Sequence, residues 1–386
     1  MNRETIVTEL SSLDRLLRAA VTCRASDVHL SADAPPLMRL DGALVGVPEY
    51  RDPLSAAWLE SSLLAIMTGT QREAYRGEGE IDLAHTIAGV GRFRVNVFRQ
   101  VGGVAAALRL VPHAVRTLAE LGIPPVARQL ALRPRGLVLV TGPTGSGKST
   151  TLAAMVDIIN RETPSHIITI EDPIEYVHTS KRSLVHQREI GTDTPSFADA
   201  LRHILRQDPD VVLIGELRDP ESIGIALTAA ETGQLVLGTL HTQGAAKTID
   251  RIIDTFPAHQ QSQVRAQLGD TLQGVVSQTL LPRAQTSGRV LASEVLVHTP
   301  AVANLVREGQ VPQLYSVMQS SSSLGMHTLD QSLSELVAAG LVSRQVAEGY
   351  LVDPRALDKV RVRPQDLDAD AWAQHAAVQQ PARRAG

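Results

Sequence analysis

The run LVLVTGPTGSGKSTTLAAMVDIIN, Leu137 to Asn160, changes character twice. Leu137 to Thr141 is a short apolar run that predicts a buried strand. Gly142-Pro143-Thr144-Gly145-Ser146-Gly147-Lys148-Ser149 then turns the chain, and Leu152, Ala153, Met155, Val156 and Ile159 follow at helical spacing. Strand, loop and helix supply the context that the pattern G-x-x-x-x-G-K-[ST] requires. Glycines let backbone N–H groups close around a phosphate without a Cβ in the way, and a helix N-terminus adds partial positive charge. The residues from Gly142 to Ser149, with Thr150 just beyond, are therefore the expected binding site of a nucleoside triphosphate. Lys148 is expected at the β- and γ-phosphates and Ser149 on Mg²⁺, with ATP as the substrate.

Working outward, the flanking segments divide the 386 residues by period. Downstream, Ile167 to Ile170, Val211 to Ile214 and Leu235 to Thr239 are near-continuous apolar runs alternating with helical patterns, as in a parallel sheet covered on both faces. Upstream, residues 3–22 carry Ile6, Val7, Leu10, Leu13, Leu16, Leu17 and Ala20 on one helical face. Short segments follow at 27–30, 37–40 and 80–85, then a hairpin pairing 84–87 with 92–98 through Ala88-Gly89-Val90-Gly91, and a strand at 104–111. The first 111 residues thus predict a small α+β domain with an antiparallel sheet. A connecting segment at 112–134 holds a short helix over 116–121, and an α/β domain is expected over 135–355. Beyond Pro257 the pattern predicts mostly helix: Gln260 to Leu280, Pro300 to Arg307, Gln313 to Gln319 and Thr328 to Ala339. Residues 356–386 are charged, rich in Ala and Gln and weakly periodic, which predicts a disordered tail.

Composition narrows the function classes. The formal net charge is −4 and aromatics are 3%, so neither a basic field nor a set of stacking platforms points to nucleic acid. A single cysteine, Cys23, excludes a disulfide framework and a cysteine-rich zinc site. Met1-Asn2-Arg3-Glu4 leads into an amphipathic helix instead of an apolar targeting segment, and no run approaches the roughly 20 apolar residues that span a bilayer. A cytoplasmic protein is expected, with any membrane role supplied through a partner.

Three further clusters carry chemistry. Val211-Val212-Leu213-Ile214-Gly215-Glu216 is an apolar strand ending in a carboxylate, where an acid can hold Mg²⁺ or activate the attacking water. Gly215 stands where such enzymes often have a first acid, so Glu216 is the expected activator and Ser149 the main protein ligand of Mg²⁺. Ile170-Glu171-Asp172-Pro173-Ile174-Glu175-Tyr176 places three acids behind another strand, a repulsive arrangement without a cation nearby. Glu171 is the expected functional member. Gly238-Thr239-Leu240-His241-Thr242 closes a third strand, and His241 is either a γ-phosphate sensor, a contact of the acidic cluster, or a histidine satisfied locally.

In this order the four segments resemble the secretion ATPase superfamily, the hexameric motors of type II secretion and type IV pili. The likeness is strongest to members that retract pili. It extends through Ala25-Ser26-Asp27-Val28-His29-Leu30, Asp250-Arg251-Ile252-Ile253-Asp254 and Ser323-Leu324-Gly325-Met326-His327-Thr328-Leu329-Asp330-Gln331. It also takes in Ala301-Val302-Ala303-Asn304-Leu305-Val306-Arg307-Glu308, which matches a helix associated with retraction.

The resemblance implies a PAS-like amino-terminal domain, a RecA-like P-loop ATPase domain and a homohexamer acting on an inner-membrane pilus platform protein, with a paralogous retraction motor as a working partner. It also implies that arginines on the first domain's strands, here Arg92, Arg94 and Arg109, act on the phosphates. Two positions depart from the pattern: Gln234 replaces a histidine that opens the His241 segment, and Ala303 replaces an arginine. The alternatives are an accessory retraction motor, an assembly or secretion motor, a DNA-translocating ATPase and a nucleotide switch without sustained turnover. Many assembly motors carry a four-cysteine metal element that one cysteine cannot build.

Overall fold

In the computed structural model, which describes residues 12–40, 43–111, 115–358 and 360–361, the chain forms two compact units. The first comprises Met1–His113 with Glu175–Val177, and the second Ala114–Ile174 with His178–Gly386.

The first unit has α1 (Ser12–Thr22), β1 (Asp27–Ser31), β2 (Leu37–Leu40), β3 (Ala43–Gly46), α2 (Ala56–Ala65), α3 (Gly69–Glu78), β4 (Glu80–Ile87), β5 (Gly91–Gln100) and β6 (Gly103–Val111). Its six strands form one antiparallel sheet in the order β3-β2-β1-β6-β5-β4. Phe93, Val95 and Val97 alternate into a core with Leu13, Leu16 and Leu17 of α1. Period two then turns Arg92, Arg94 and Asn96 to the opposite face. The β4–β5 hairpin closes where the turn residues place it, between Ile87 and Gly91. The predicted first helix is present from Ser12, its residues 3–11 lying outside those described. Helix α3 was not foreseen: GTQREAYRGE carries little apolar pattern, and its start is fixed by a capping box of Thr68 and Gln71.

The second unit has α4 (Val126–Ala131), β7 (Gly136–Thr141), α5 (Lys148–Glu162), β8 (His166–Glu171), β9 (Leu184–Glu189), α6 (Phe197–Ile204), β10 (Val211–Ile214), α7 (Pro220–Thr232), β11 (Leu235–Leu240), α8 (Ala245–Asp254), α9 (Gln261–Thr271), β12 (Leu272–Pro282), β13 (Arg289–Val297), α10 (Pro300–Arg307), α11 (Leu314–Ser320), α12 (Leu329–Ala338) and α13 (Arg344–Glu348). Seven strands pair in the order β13-β12-β7-β11-β10-β8-β9, parallel except for the antiparallel edge strand β13. The four apolar runs of the sequence are its central strands. Every residue of β7, β10 and β11 is buried, as a sheet covered on both faces demands. Leu152, Met155, Val156 and Ile159 of α5 seal one face, each contributing on the order of 1.5–3 kcal/mol by burial.

Several expectations need correction. Gln260 to Leu280 is not one helix: α9 stops at Thr271, and Leu272 starts the long strand β12. Its apolar run fits either period, and pairing with β7 and β13 decides it. The short helix over 116–121 is a set of turns; the helix of this region is α4. Leu118, Ile123, Val126 and Leu130 join the core of the second unit, so most of the expected connecting segment is part of that domain. The expected tail lies outside the described residues apart from 356–358 and 360–361, and Leu357 is buried against Leu333 and Leu336.

Candidate nucleotide site

Parallel strands carry their ligand sites at the carboxyl ends, where loops leave the sheet. Here β7 ends at the glycine loop, β8 at Glu171, β10 at Gly215 and Glu216, and β11 at His241. The strands neighbour one another in the order β7-β11-β10-β8, so the four sequence clusters share one edge of one sheet.

The loop is built by close approach. Gly142 has φ +137°, and a Cβ there would lie 2.2 Å from the Gln278 carbonyl oxygen. Gly147, at φ +90°, caps α5 with no side-chain hydrogen bond, so the partial positive charge of the α5 N-terminus meets the loop without a capping side chain, as an anion site favours. Ser146 Oγ is buried and has no protein partner among the described residues, an orphan that a phosphate oxygen would satisfy. The Lys148 side chain, 9% exposed, donates Nζ to the carbonyls of Gly142 at 2.9 Å and Pro143 at 3.1 Å. These features fit a polyphosphate. Ser149 and Thr150 occupy the first turn of α5, half-buried.

A polar chain runs from the loop to the carboxylate. Thr144 Oγ1 lies 3.5 Å from His241 Nδ1, and His241 Nε2 lies 3.1 Å from Glu216 Oε1. A neutral ring that donates from Nε2 to Glu216 leaves Nδ1 to accept the threonine hydroxyl. Arg218 Nη2 takes the other oxygen, Glu216 Oε2, at 2.6 Å. Burial alone would raise the Glu216 pKa, but the hydrogen bond to Arg218 and the His241 ring outweigh it and hold the group below its ordinary value of 4.5. Gly215 has a steric cause: a Cβ there would stand 3.1 Å from Ile170 O and 3.3 Å from Glu171 Cα. A second acid beside Glu216 would require the end of β8 to give way by a few tenths of an ångström.

Glu171 ends β8, and its Oε1 accepts from Thr169 Oγ1 at 2.7 Å and Gln187 Nε2 at 3.1 Å. Asp172 is exposed. Gln234 precedes β11 and so lies a strand length, roughly 20 Å, from His241; it accepts a hydrogen bond from Thr232 and makes no contact with the loop. The position that departs from the family pattern thus lies at the opposite end of β11 from His241. Ala303 is buried in α10 against α9, where a Cβ on Gly269 would meet its carbonyl at 3.1 Å, while Asn304, Arg307 and Glu308 face outward.

In the first unit, Arg92, Arg94 and Arg109 share the sheet face opposite the core. Arg94 and Arg109 are register partners, and Arg109 Nε donates to Asp27 Oδ1 at 2.8 Å. Arg92 Nη1 donates to Thr86 Oγ1 at 3.3 Å.

Sequence reasoning missed the outer wall of the loop. The β12–β13 pair supplies Gln278, whose amide exchanges hydrogen bonds with Thr151 Oγ1, and Arg289, whose Nη1 donates to Gly145 O at 3.4 Å. Reading Gln260 to Leu280 as helix hid Gln278, and Arg289 lies beyond that run in a stretch with no motif. No group of three or more His, Cys, Asp or Glu that could hold a metal occurs among the described residues, and no helix there is long and apolar enough to cross a membrane.

The family model for type II/IV secretion system proteins matches residues 3–304. The chain is 51% identical over 337 residues to the type IV pilus retraction ATPase PilT of Pseudomonas aeruginosa, covering 87% of this chain and 96% of that protein. It is 48% identical over 338 residues to a twitching motility protein of Neisseria gonorrhoeae, covering 87% of this chain and 89% of that protein. A crystal structure of the pilus retraction motor PilT with bound ADP superposes with a TM-score of 0.82 at 47% identity, over 91% of this chain and 99% of that one. A glycine loop shaped for phosphates, a carboxylate two strands away and this breadth of likeness lead to one conclusion: the chain belongs to the family of type II/IV secretion system proteins and is a P-loop ATPase.

Proposed function

We propose that this chain is the motor ATPase of type IV pilus retraction, hydrolysing ATP with Mg²⁺ as a cytoplasmic homohexamer that acts on an inner-membrane platform protein beside a paralogous motor. The observation that carries the chemistry is the convergence of Lys148, Glu216, His241 and Glu171 at the carboxyl ends of adjacent parallel strands. The likeness to retraction ATPases over nearly their full length supports the biological role.

ATP phosphates take the loop N–H groups and Ser146 Oγ, and Lys148 Nζ exchanges the Gly142 and Pro143 carbonyls for phosphate oxygens. Ser149 is the residue to hold Mg²⁺, which when bound neutralises phosphate charge. Glu216 accepts a proton from the attacking water as the bond to the γ-phosphorus forms and the β–γ bridge breaks, giving ADP and phosphate. Each Glu216 oxygen has one partner and keeps acceptor capacity for the water, and losing Arg218 or His241 would make the carboxylate a stronger base. Arg218, 69% exposed, is the partner that phosphate charge can draw away. His241 then reports the γ-phosphate to the loop after β11. Arg92, Arg94 and Arg109 receive the task of balancing phosphate charge, for which a planar, permanently charged fork is suited.

The test pairs steady-state ATPase assays with pilus retraction in a strain lacking the gene. The wild-type chain restores retraction and turns over ATP, and Lys148→Ala does neither. Retraction restored equally by Lys148→Ala would overturn the proposal.

A further inference from the structure

The structure assigns to Thr169 and Gln187 the positioning of the Glu171 carboxylate for ATP hydrolysis, an inference that rests on the catalytic place given above to Glu171. Strand β9 lies beside β8 in parallel register, with Thr169 opposite Gln187 and Glu171 opposite Glu189. Side chains at registered positions, and at i and i+2, stand on one face of a sheet. Thr169, Glu171, Gln187 and Glu189 therefore share a face, at the end of the sheet where the phosphate loop sits.

Two donors converge on one carboxylate oxygen. Thr169 Oγ1 gives Glu171 Oε1 a hydrogen bond of 2.7 Å from a side chain that is 1% exposed, and Gln187 Nε2 gives the same oxygen one of 3.1 Å. The glutamine is itself held, because its Oε1 accepts the His178 N–H at 2.7 Å, which turns its NH₂ toward Glu171. The backbone beyond Glu171 is fixed as well: the buried Glu189 accepts the Ile174 N–H on Oε2 at 3.0 Å. A carboxylate pinned through one oxygen has its plane set, and so the direction of its second oxygen. A long, otherwise rotatable side chain at a strand end gains the preorganisation that a water-ordering or charge-stabilising group requires. Gln187 and Glu189 also hold the backbone at His178 and Ile174, so the readout that separates positioning from stability is kcat in the two Glu171 backgrounds.

The experiment uses the full-length assembled protein and measures kcat, KM for ATP and ADP affinity for Thr169→Val, Thr169→Ser and Gln187→Met, each in the wild-type and in the Glu171→Gln background. Thr169→Val and Gln187→Met are expected to lower kcat roughly tenfold each, with KM and ADP affinity little changed, as loss of one orienting hydrogen bond predicts. Thr169→Ser, which keeps the hydroxyl, recovers most of the rate. In the Glu171→Gln background neither substitution lowers kcat further, because their effect runs through that carboxylate. Wild-type kcat in both Thr169→Val and Gln187→Met while Glu171→Gln is slow overturns the positioning role alone, as do losses that persist undiminished in the Glu171→Gln background. Wild-type kcat in Glu171→Gln overturns instead the catalytic place of Glu171. If Thr169→Val unfolds, Gln187→Met on the edge strand decides by itself.

Discussion

At the scale of the residue, Glu216 is a carboxylate kept ionised by its neighbours. Its folded pKa lies below the ordinary value, so the stability it contributes is present above the unfolded value and is lost as pH falls through the folded one. The same depression keeps the proposed base deprotonated across the neutral range. Arg218→Ala removes the first of the two partners that oppose burial, and the group then rises. We expect the acid limb of the pH profile of kcat/KM to move to higher pH in this variant; an unmoved limb would show that Arg218 does not set the charge of Glu216. Lys148→Ala should weaken ADP binding about 10- to 100-fold, the range for one charge-assisted hydrogen-bonding group, in a fluorescence titration. Most of these residues were legible in the sequence because motif spacing and chemistry coincide: a lysine after a glycine loop, an acid after an apolar strand, a histidine after another. The meaning of Gly215 was not, since only the neighbouring strand end reveals that a side chain there would be crowded by Ile170 and Glu171.

At the scale of the element, strands β7, β8, β10 and β11 and helix α5 are visible as long apolar runs or clean helical spacing, and they are the elements that hold the site. Strand β9 escaped because LVHQRE has no apolar run; it exists because β8 offers it an edge. The sequence of strand β12 also fits a helix, because a buried run of that length satisfies both periods. The β12 contact has a consequence: Gly142→Ala would drive a methyl into the Gln278 carbonyl, so nucleotide binding is expected to be lost while far-ultraviolet circular dichroism stays that of the wild type. Binding at wild-type affinity would contradict the close approach. Beside β9, burial lowers the His178 pKa to about 4, with the charge of Asp157 opposing and that of Lys181 adding. Its neutral form stabilises the fold above an unfolded value near 6.5, and that contribution, roughly 3 kcal/mol, is lost as pH falls through about 4. Thermal unfolding between pH 7 and 4 should therefore fall less steeply in His178→Phe than in the wild type.

At the scale of the whole molecule, the sequence separated an antiparallel α+β unit from a mostly parallel α/β unit by period alone, and the motor ring proposed above is what periodicity does not reach. A ring makes activity depend on assembly. Turnover per chain should rise with protein concentration as native mass spectrometry shows six-membered species accumulate, and equal turnover by a dilute monomer would contradict the ring. The sheet, the loop and the carboxylates all serve one claim, that the glycine loop holds ATP while Glu216 accepts a proton from the attacking water. Single-turnover hydrolysis of ATP by Glu216→Gln tests it most directly: ATP should bind with wild-type affinity and the hydrolytic step should slow by about 10²–10⁴-fold, whereas hydrolysis at the wild-type rate would contradict the account.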